Sequence, residues 1–174
     1  MVAVLGRISG WKGQDVAIRA LAQLDADWML LIAGQPWRGE DRHLRELLAL
    51  ARVQGVEDRV VHAGFVGDVD QVYGAADVIA VPSKQPDPLP NAALEAAAAG
   101  CCVVASAHGG LPEILRDGET GLLVAPNDPL ALAQAIAGAD RERLGAAAAA
   151  DVPQRFSPER MLDGIQLLYD TVVS

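Results

Sequence analysis

Two carboxylates stand out in the stretch PDPLPNAALEAAAAG, residues 86–100, where Asp87 and Glu95 are separated by seven residues. Glu95 is the one charge in a run of alanine and leucine that is typical of a buried helix. A buried ionised carboxylate costs roughly several kcal/mol unless it is paired or hydrogen-bonded. Glu95 therefore requires a partner or a ligand that the neighbouring sequence does not supply.

The start of this helix is a candidate anion site. Pro90 suits the first helical position, where its missing N–H costs nothing. The N–H groups of Asn91, Ala92 and Ala93 are then free at the positive helix end, which favours an anion by ~0.3–1 kcal/mol.

Asn91 and Glu95 are four residues apart and share one helix face, with Asp87 just ahead of the helix. Two carboxylate acceptors beside an anion-binding helix end suit a ligand with phosphate and hydroxyl groups, such as a nucleotide sugar. The alternative places Glu95 on a solvated helix face and makes Asp87 a turn residue.

A second candidate is the loop GRISGWKG, residues 6–13, in which Arg7 and Lys12 lie just before a predicted helix. Two cations beside a helix N-terminus suit a diphosphate, because arginine presents a fork of donors and lysine a point charge. The spacing matches neither the P-loop nor G-x-G-x-x-G. The alternative is a glycine turn with solvated cations.

Short apolar runs alternate with helical patterns along the chain. Strands are predicted over 2–6, 28–34, 60–64, 77–83, 102–106 and 120–126, and helices over 14–24, over 40–53, from Asp68, from Pro90 and after Ser157. Continuous apolar strands alternating with helices indicate a doubly wound α/β fold, Rossmann-like, with a parallel sheet. Ligands of such sheets bind beyond the carboxyl ends of the strands, where both candidate loops lie.

Composition narrows the choice of partners. The net charge is −9 with no basic cluster, which argues against nucleic acid or an anionic membrane as partner. No apolar run approaches the ~20 residues of a membrane span, and no leader is visible, so a cytoplasmic location is expected. Cys101 and Cys102 are adjacent and form no metal-binding pair, so we expect small core residues on opposite sheet faces.

Five segments, in order and at family-like spacing, resemble the carboxyl-terminal, donor-binding half of retaining GT-B glycosyltransferases of the group 1 or family 4 type. They are GRISGWKG, HAGFVGDVDQVYGAADVIAVPS, PDPLPNAALEAAAAGCCVVAS, HGGLPEIL and GETGLLVAPND. Together they span residues 6–128, most of the chain, which the resemblance makes one half of a GT-B fold.

The resemblance implies a role for each candidate residue. Arg7 and Lys12 would grip the donor diphosphate, Glu95 would take the ribose hydroxyls and Asp87 would contact the transferred sugar. The other implied donor contacts are Gly6, Phe65, Val66, Leu89, Asn91 and Ala92, with Phe65 and Val66 meeting the base. The chain departs from the family in having Asp87 in place of glutamate and Leu89-Pro90 in place of Phe-Gly, which removes one N–H donor.

Other polar motifs receive structural interpretations. Asp68-Val69-Asp70 spells the D-x-D of metal-dependent glycosyltransferases, but those have a different fold. Asp68 and Gln71 fit a helix capping box instead. His62 and His108, near strand ends, are interpreted as structural histidines.

The resemblance implies transfer of a sugar from a UDP-, GDP- or ADP-sugar, with retention and without a metal or cofactor. It also implies a missing amino-terminal acceptor domain, so we expect residues 1–156 to form the donor domain of a fragment that is inactive alone. In the terminal helix, residues 157–174, an apolar stripe of Met161, Ile165, Leu168 and Val172 would face the missing domain or a second copy.

Two rival functions remain open at this stage. One is a non-catalytic nucleotide-sugar binding module that needs a partner chain. The other is an epimerase or phosphorylase of the same architecture, although a phosphorylase would need a lysine bound to pyridoxal phosphate, and none fits.

Overall fold

The structure, a computed structural model, describes residues 1–38 and 41–173. Within them, six parallel strands pair in the order β3-β2-β1-β4-β5-β6. The strands are β1 (Val2–Leu5), β2 (Leu30–Ala33), β3 (Val60–Gly64), β4 (Val78–Val81), β5 (Val103–Ser106) and β6 (Leu122–Val124). The predicted doubly wound parallel sheet is confirmed.

Eight α-helices accompany these strands in the described part of the chain. They are α1 (Gln14–Leu21), α2 (Arg42–Val53), α3 (Asp70–Ala75), α4 (Asn91–Ala98), α5 (Leu111–Ile114), α6 (Pro129–Gly138), α7 (Arg141–Arg155) and α8 (Pro158–Val173). The helix start predicted at Glu40 lies outside the described residues.

The central strands β1, β4 and β5 are buried on both faces because helices cover the sheet on each side, whereas the edge strands β3 and β6 are partly exposed. Val2 and Val4 share a core with α1, α2 and α6, whereas Ala3, between them, joins a core with α3, α4 and α5. Cys101 and Cys102 divide in the same way, one in each core, as their adjacency predicts.

The strand order sets the position of the site. The chain adds β2 and β3 on one side of β1 and then returns to pair β4 on the other side. The loops that follow β1 and β4 therefore diverge over a crevice at the carboxyl edge, which is where ligands bind in sheets of this kind.

Two glycines allow backbones to meet at this edge. Gly13 has φ +76° and Gly34 has φ +149°, both unfavourable for a side chain. A Cβ at Gly13 would overlap the carbonyl of Pro82 just after β4, and one at Gly34 would overlap the carbonyl of Gly6 just after β1. The loops after β1, β2 and β4 can therefore lie directly against one another.

Helices α6 and α7 are not among the helices predicted from the sequence. Each helix begins with an aspartate cap, Asp128 Oδ1 accepting from Ala131 N at 2.9 Å and Asp140 Oδ1 accepting from Arg143 N at 3.3 Å. Pro129 at the first position of α6 completes a helix-start signal that the sequence carried.

Helix α8 has no packed face: its side chains are exposed from Pro158 to Val172. The predicted stripe is among them, with Met161 59%, Ile165 43%, Leu168 67% and Val172 83% exposed. Among the described residues, no helix combines the length and apolarity needed to cross a membrane.

Candidate functional site

A cavity of about 590 Å³ opens at the carboxyl ends of β1, β2 and β3. It is lined by backbone and side chains of three loops: Leu5, Gly6, Arg7, Ala33, Gly34, Gln35, Pro36, Trp37, Arg38, Phe65, Val66 and Val69. Four of the predicted donor-binding residues, Gly6, Arg7, Phe65 and Val66, are thus brought to one cavity, and Phe65 is 73% exposed at its wall.

Arg7 is held at this cavity by contacts on both its backbone and its side chain. Nε2 of the buried Gln14, the first residue of α1, donates to the carbonyl of Arg7 at 3.0 Å. The guanidinium carbon lies 4.4 Å from the ring centroid of Trp37. Motif spacing indicates Arg7 but not Trp37, because thirty residues separate them in the chain.

The second predicted cation meets the first predicted acid directly. Lys12 Nζ lies 2.8 Å from Asp87 Oδ2, with the two side chains 23% and 13% exposed. Lys12 Nζ is also 4.3 Å from the centroid of the Trp11 ring. The backbone of Asp87 is fixed from the next loop, where Gly110 N donates to its carbonyl at 2.8 Å.

The start of α4 lies one residue later than predicted. Pro90 has ψ 98° and is the residue before the helix, so its carbonyl accepts from Ala93 N at 2.9 Å. Of the three N–H groups expected to be free, the structure leaves Asn91 and Ala92 without an acceptor among the described residues. Leu89, just before the helix, is 53% exposed.

Glu95 has a partner that the sequence analysis did not identify. Its side chain is exposed, and its Oε2 accepts from the hydroxyl of Tyr73 at 2.8 Å. Tyr73 lies on α3, is 6% exposed, and its pKa is raised well above the usual value by burial and by the Glu95 carboxylate. The phenol therefore stays neutral and holds one oxygen of Glu95, which leaves the other oxygen for a ligand.

The two histidines make structural contacts, as predicted. His62 Nε2 lies 2.8 Å from the carbonyl of Gly34, and His108 Nε2 lies 2.7 Å from the carbonyl of Ser83. Since a carbonyl can only accept, each of these nitrogens carries a proton. Both histidines thereby tie one site loop to a neighbouring strand end.

The predicted capping box at α3 does not form. Gln71 Nε2 donates to Asp68 Oδ2 at 3.0 Å, but the helix begins at Asp70 after Val69, without a side-chain cap. The two side chains bind each other because the helix starts too late for Asp68 to reach its N–H groups. In residues 1–38 and 41–173, no group of three or more His, Cys, Asp or Glu side chains could hold a metal.

The predicted residues therefore form two neighbouring groups. One is the cavity with Arg7, and the other is the Lys12–Asp87 pair beside the start of α4, with Glu95 one turn further along. Lys12, Asp87 and Glu95 do not line the cavity. The loop that carries both cations connects the two groups.

Fold and site geometry together define a doubly wound α/β domain with a cavity at the carboxyl edge of its sheet, and sequence comparison assigns its family. The profile of the family described as Glycosyl transferases group 1 matches residues 1–139. The chain belongs to this family.

Relatives and solved structures agree with this assignment. The D-inositol 3-phosphate glycosyltransferase of Actinosynnema mirum is 43% identical over 134 residues, covering 72% of this chain and 32% of the relative. Anabaena Alr3699/HepE in complex with UDP superposes with a TM-score of 0.92 at 30% identity, covering 98% of this chain and 48% of that one. The same protein has been solved with UDP-glucose, with the same score and identity.

One of the matching structures is an isolated C-terminal domain. The C-terminal domain of a group 1 family glycosyl transferase, LpcC, from Francisella tularensis superposes with a TM-score of 0.76 at 25% identity. That match covers 88% of this chain and 84% of the domain. The chain spans about a third of the length of the curated relatives it matches and about half of the GT-B structures.

We predict that Tyr73→Phe abolishes a phenol titration that the folded wild-type chain shows only at a pH well above the usual pKa of tyrosine. The raised pKa of Tyr73 means that the folded chain keeps a proton that the unfolded chain releases near pH 10. The free energy of unfolding should therefore fall as pH rises above about 10, and fall less steeply in Tyr73→Phe.

Absorbance at 295 nm and urea unfolding between neutral and alkaline pH would measure both effects. Tyr169→Phe is the matched control, because the chain has two tyrosines and this one is 66% exposed. A Tyr73 signal that titrates together with that of Tyr169 would contradict the burial and the bond to Glu95.

Proposed function

We propose that this chain binds the donor in a glycosyltransferase that moves a sugar from a UDP-sugar to an acceptor, with retention and without a metal. One observation carries the proposal: Arg7 and Lys12 lie on one short loop between a nucleoside-sized cavity and the start of α4, where Lys12 pairs with Asp87 of the loop after β4. The choice of UDP is supported by the structures of Anabaena Alr3699/HepE, which are described as complexes with UDP and with UDP-glucose. A cytoplasmic location stays a prediction.

In this proposal the base occupies the cavity at the ends of β1–β3, against Phe65 and Val66 and the backbone at Gly6. The diphosphate then extends along the loop from Arg7 toward Lys12, and the sugar lies at Asp87. Glu95 offers the ribose hydroxyls the one carboxylate oxygen that Tyr73 leaves free. An acceptor-only carboxylate suits hydroxyl donors of this kind.

Charge stabilisation is the chemistry these residues can supply. As the bond between sugar and diphosphate breaks, negative charge gathers on the leaving phosphate. Arg7, Lys12 and the N–H groups of Asn91 and Ala92 provide positive charge and donors that are already held in place. Removing one such stabiliser commonly lowers the rate by ~10²–10³.

Lys12 must exchange the Asp87 carboxylate for the donor diphosphate before it can stabilise the leaving phosphate. Its ammonium is bound to the Asp87 carboxylate, and a diphosphate would compete for it. Asp87 is then released toward the sugar hydroxyls, which can donate to it. Binding of the phosphate and recognition of the sugar are thereby coupled through one ion pair.

The acceptor side lies outside this chain in our proposal. An additional domain or partner chain would supply the acceptor site, and helix α8 would pack against it through Met161, Ile165, Leu168 and Val172. In solutions of the 174-residue chain, the same stripe would pair with a second copy, since large exposed apolar patches favour association.

The first test is the affinity of the chain for nucleotides. We expect UDP to raise the melting temperature more than GDP or ADP, because a ligand that binds only the native state stabilises it. Lys12→Ala should weaken UDP binding about 10–100-fold, the usual range for losing a hydrogen bond to a charged group. Calorimetry measures the dissociation constants.

Arg19→Ala is the control for charge, since Arg19 is an exposed cation on α1 that does not line the cavity. An unchanged dissociation constant in Lys12→Ala would remove Lys12 from the site. If none of the three nucleotides stabilises the wild-type chain, the donor assignment itself fails.

The partner exchange of Lys12 makes a separate prediction for Asp87→Asn. This change frees Lys12 and removes a negative charge, so UDP should bind several-fold more tightly. The advantage of UDP-glucose over UDP should shrink, because the sugar loses its carboxylate acceptor. Calorimetry with both ligands tests this, and weaker UDP binding in Asp87→Asn would contradict the exchange.

The interface on α8 predicts self-association of the 174-residue chain. Sedimentation velocity should show a sedimentation coefficient that rises with concentration, and Leu168→Glu should abolish the rise. Gln154→Glu, which adds the same charge at an exposed position on α7, should behave as wild type. A wild-type chain that stays monomeric at every concentration would contradict pairing through this stripe.

A further inference from the structure

We propose that Trp37 is a positioning residue that holds the guanidinium of Arg7 over the cavity in readiness for the donor phosphate. The inference rests on the proposed function, because it assigns a role to a neighbour of the same site. Trp37 follows β2 and lines the cavity together with Arg7.

The backbone brings the two residues together. Beyond the ends of β1 and β2, Ile8 and Pro36 form an isolated parallel bridge, and Ile8 N donates to the carbonyl of Gln35 at 3.2 Å. Side chains alternate along extended chains, so the residues on either side of this bridge share the opposite face. Arg7 and Trp37 therefore meet there, with 4.4 Å between the guanidinium carbon and the ring centroid.

The contact between Arg7 and Trp37 is a cation–π interaction and not an ion pair. An aromatic ring attracts a cation through its quadrupole and carries no net charge. It can therefore fix the direction of Arg7 without forming an ion pair that a phosphate would have to break. Lys12 differs, since its ammonium is bound to the Asp87 carboxylate. Among the described residues, the structure gives Arg7 no ion pair of that kind.

Packing of the core does not account for the position of Trp37. The side chain is 59% exposed, whereas core side chains nearby, such as Ile8 and Ile32, are 1% exposed. Replacement of Trp37 should leave the fold intact, and its effect should appear in ligand binding. An exposed cation–π contact is weak, so we expect a change in affinity of about two- to fivefold.

The experiment compares UDP with uridine, which has the base and ribose but no phosphate. Calorimetry on the 174-residue chain should show that Trp37→Leu weakens UDP binding about two- to fivefold more than it weakens uridine binding. Trp37→Phe keeps an aromatic face and should bind UDP nearly as the wild type does. Equal losses for UDP and uridine would overturn the proposal, because Trp37 would then be a wall of the base site.

The matched control is Trp28→Leu, which removes another tryptophan that contacts a cation. The Trp28 ring centroid lies 5.7 Å from Arg141, and Trp28 precedes β2, at the opposite edge of the sheet from Trp37. This variant should bind UDP as the wild type does. A loss as large as that of Trp37→Leu would overturn the assignment to Trp37.

A double-mutant cycle asks whether Trp37 acts through Arg7. In an Arg7→Ala background, Trp37→Leu should cause no further loss of UDP affinity, because there is no guanidinium left to position. Losses that simply add would overturn the proposal.

The contact can also be measured without any nucleotide, which separates this inference from the proposed function. In the free chain, the ring current of Trp37 should shift the NMR signal of the Arg7 Nε proton upfield, and Trp37→Leu should restore it. If the chain binds no nucleotide, the donor assignment fails while this shift is still observed. An Arg7 signal that does not move in Trp37→Leu would overturn the positioning role.

Discussion

The close approach of two backbones, at Gly13 and the carbonyl of Pro82, is the constraint on which the site depends. It lets the loop after β1 lie on the loop after β4, and Lys84 N reinforces the contact by donating to the carbonyl of Trp11 at 2.7 Å. Only with the loops in contact can Lys12 reach Asp87. A side chain at position 13 would force the loops apart, so a single glycine controls the geometry of the charged groups.

The charged groups also show how an acidic protein can attract an anionic ligand. With a net charge of −9, the chain as a whole repels a nucleotide, and the attraction must be local. Lys12 rests on Asp87 and the ring of Trp11, and Arg7 rests on the ring of Trp37. These contacts fix the direction of both cations, so less side-chain entropy is lost when a phosphate arrives.

The sequence predicted the sheet well because its central strands are buried on both faces and appear as continuous apolar runs. The predicted order of strands and loops likewise placed Arg7, Lys12 and Asp87 at the carboxyl edge of the sheet, since each lies on a loop that follows a strand. The contacts of Tyr73 and Trp37 could not be predicted this way, because each spans more than twenty residues and depends on the folded topology. The predicted start of α4 at Pro90 is one residue too early. The proline ring suits the first helical position, but the ψ of Pro90 is extended, so the helix begins at Asn91.

Helix α8 can act as a lever on the domain. Only Phe156 and Ser157 join it to α7, and sixteen residues at 1.5 Å each make a rod of about 24 Å. With one end anchored, a rotation of about 10° at this joint would move the far tip by roughly 4 Å, given that rise per residue. A body docked along the rod would thus be displaced strongly by a small turn of the joint, with no change in the sheet.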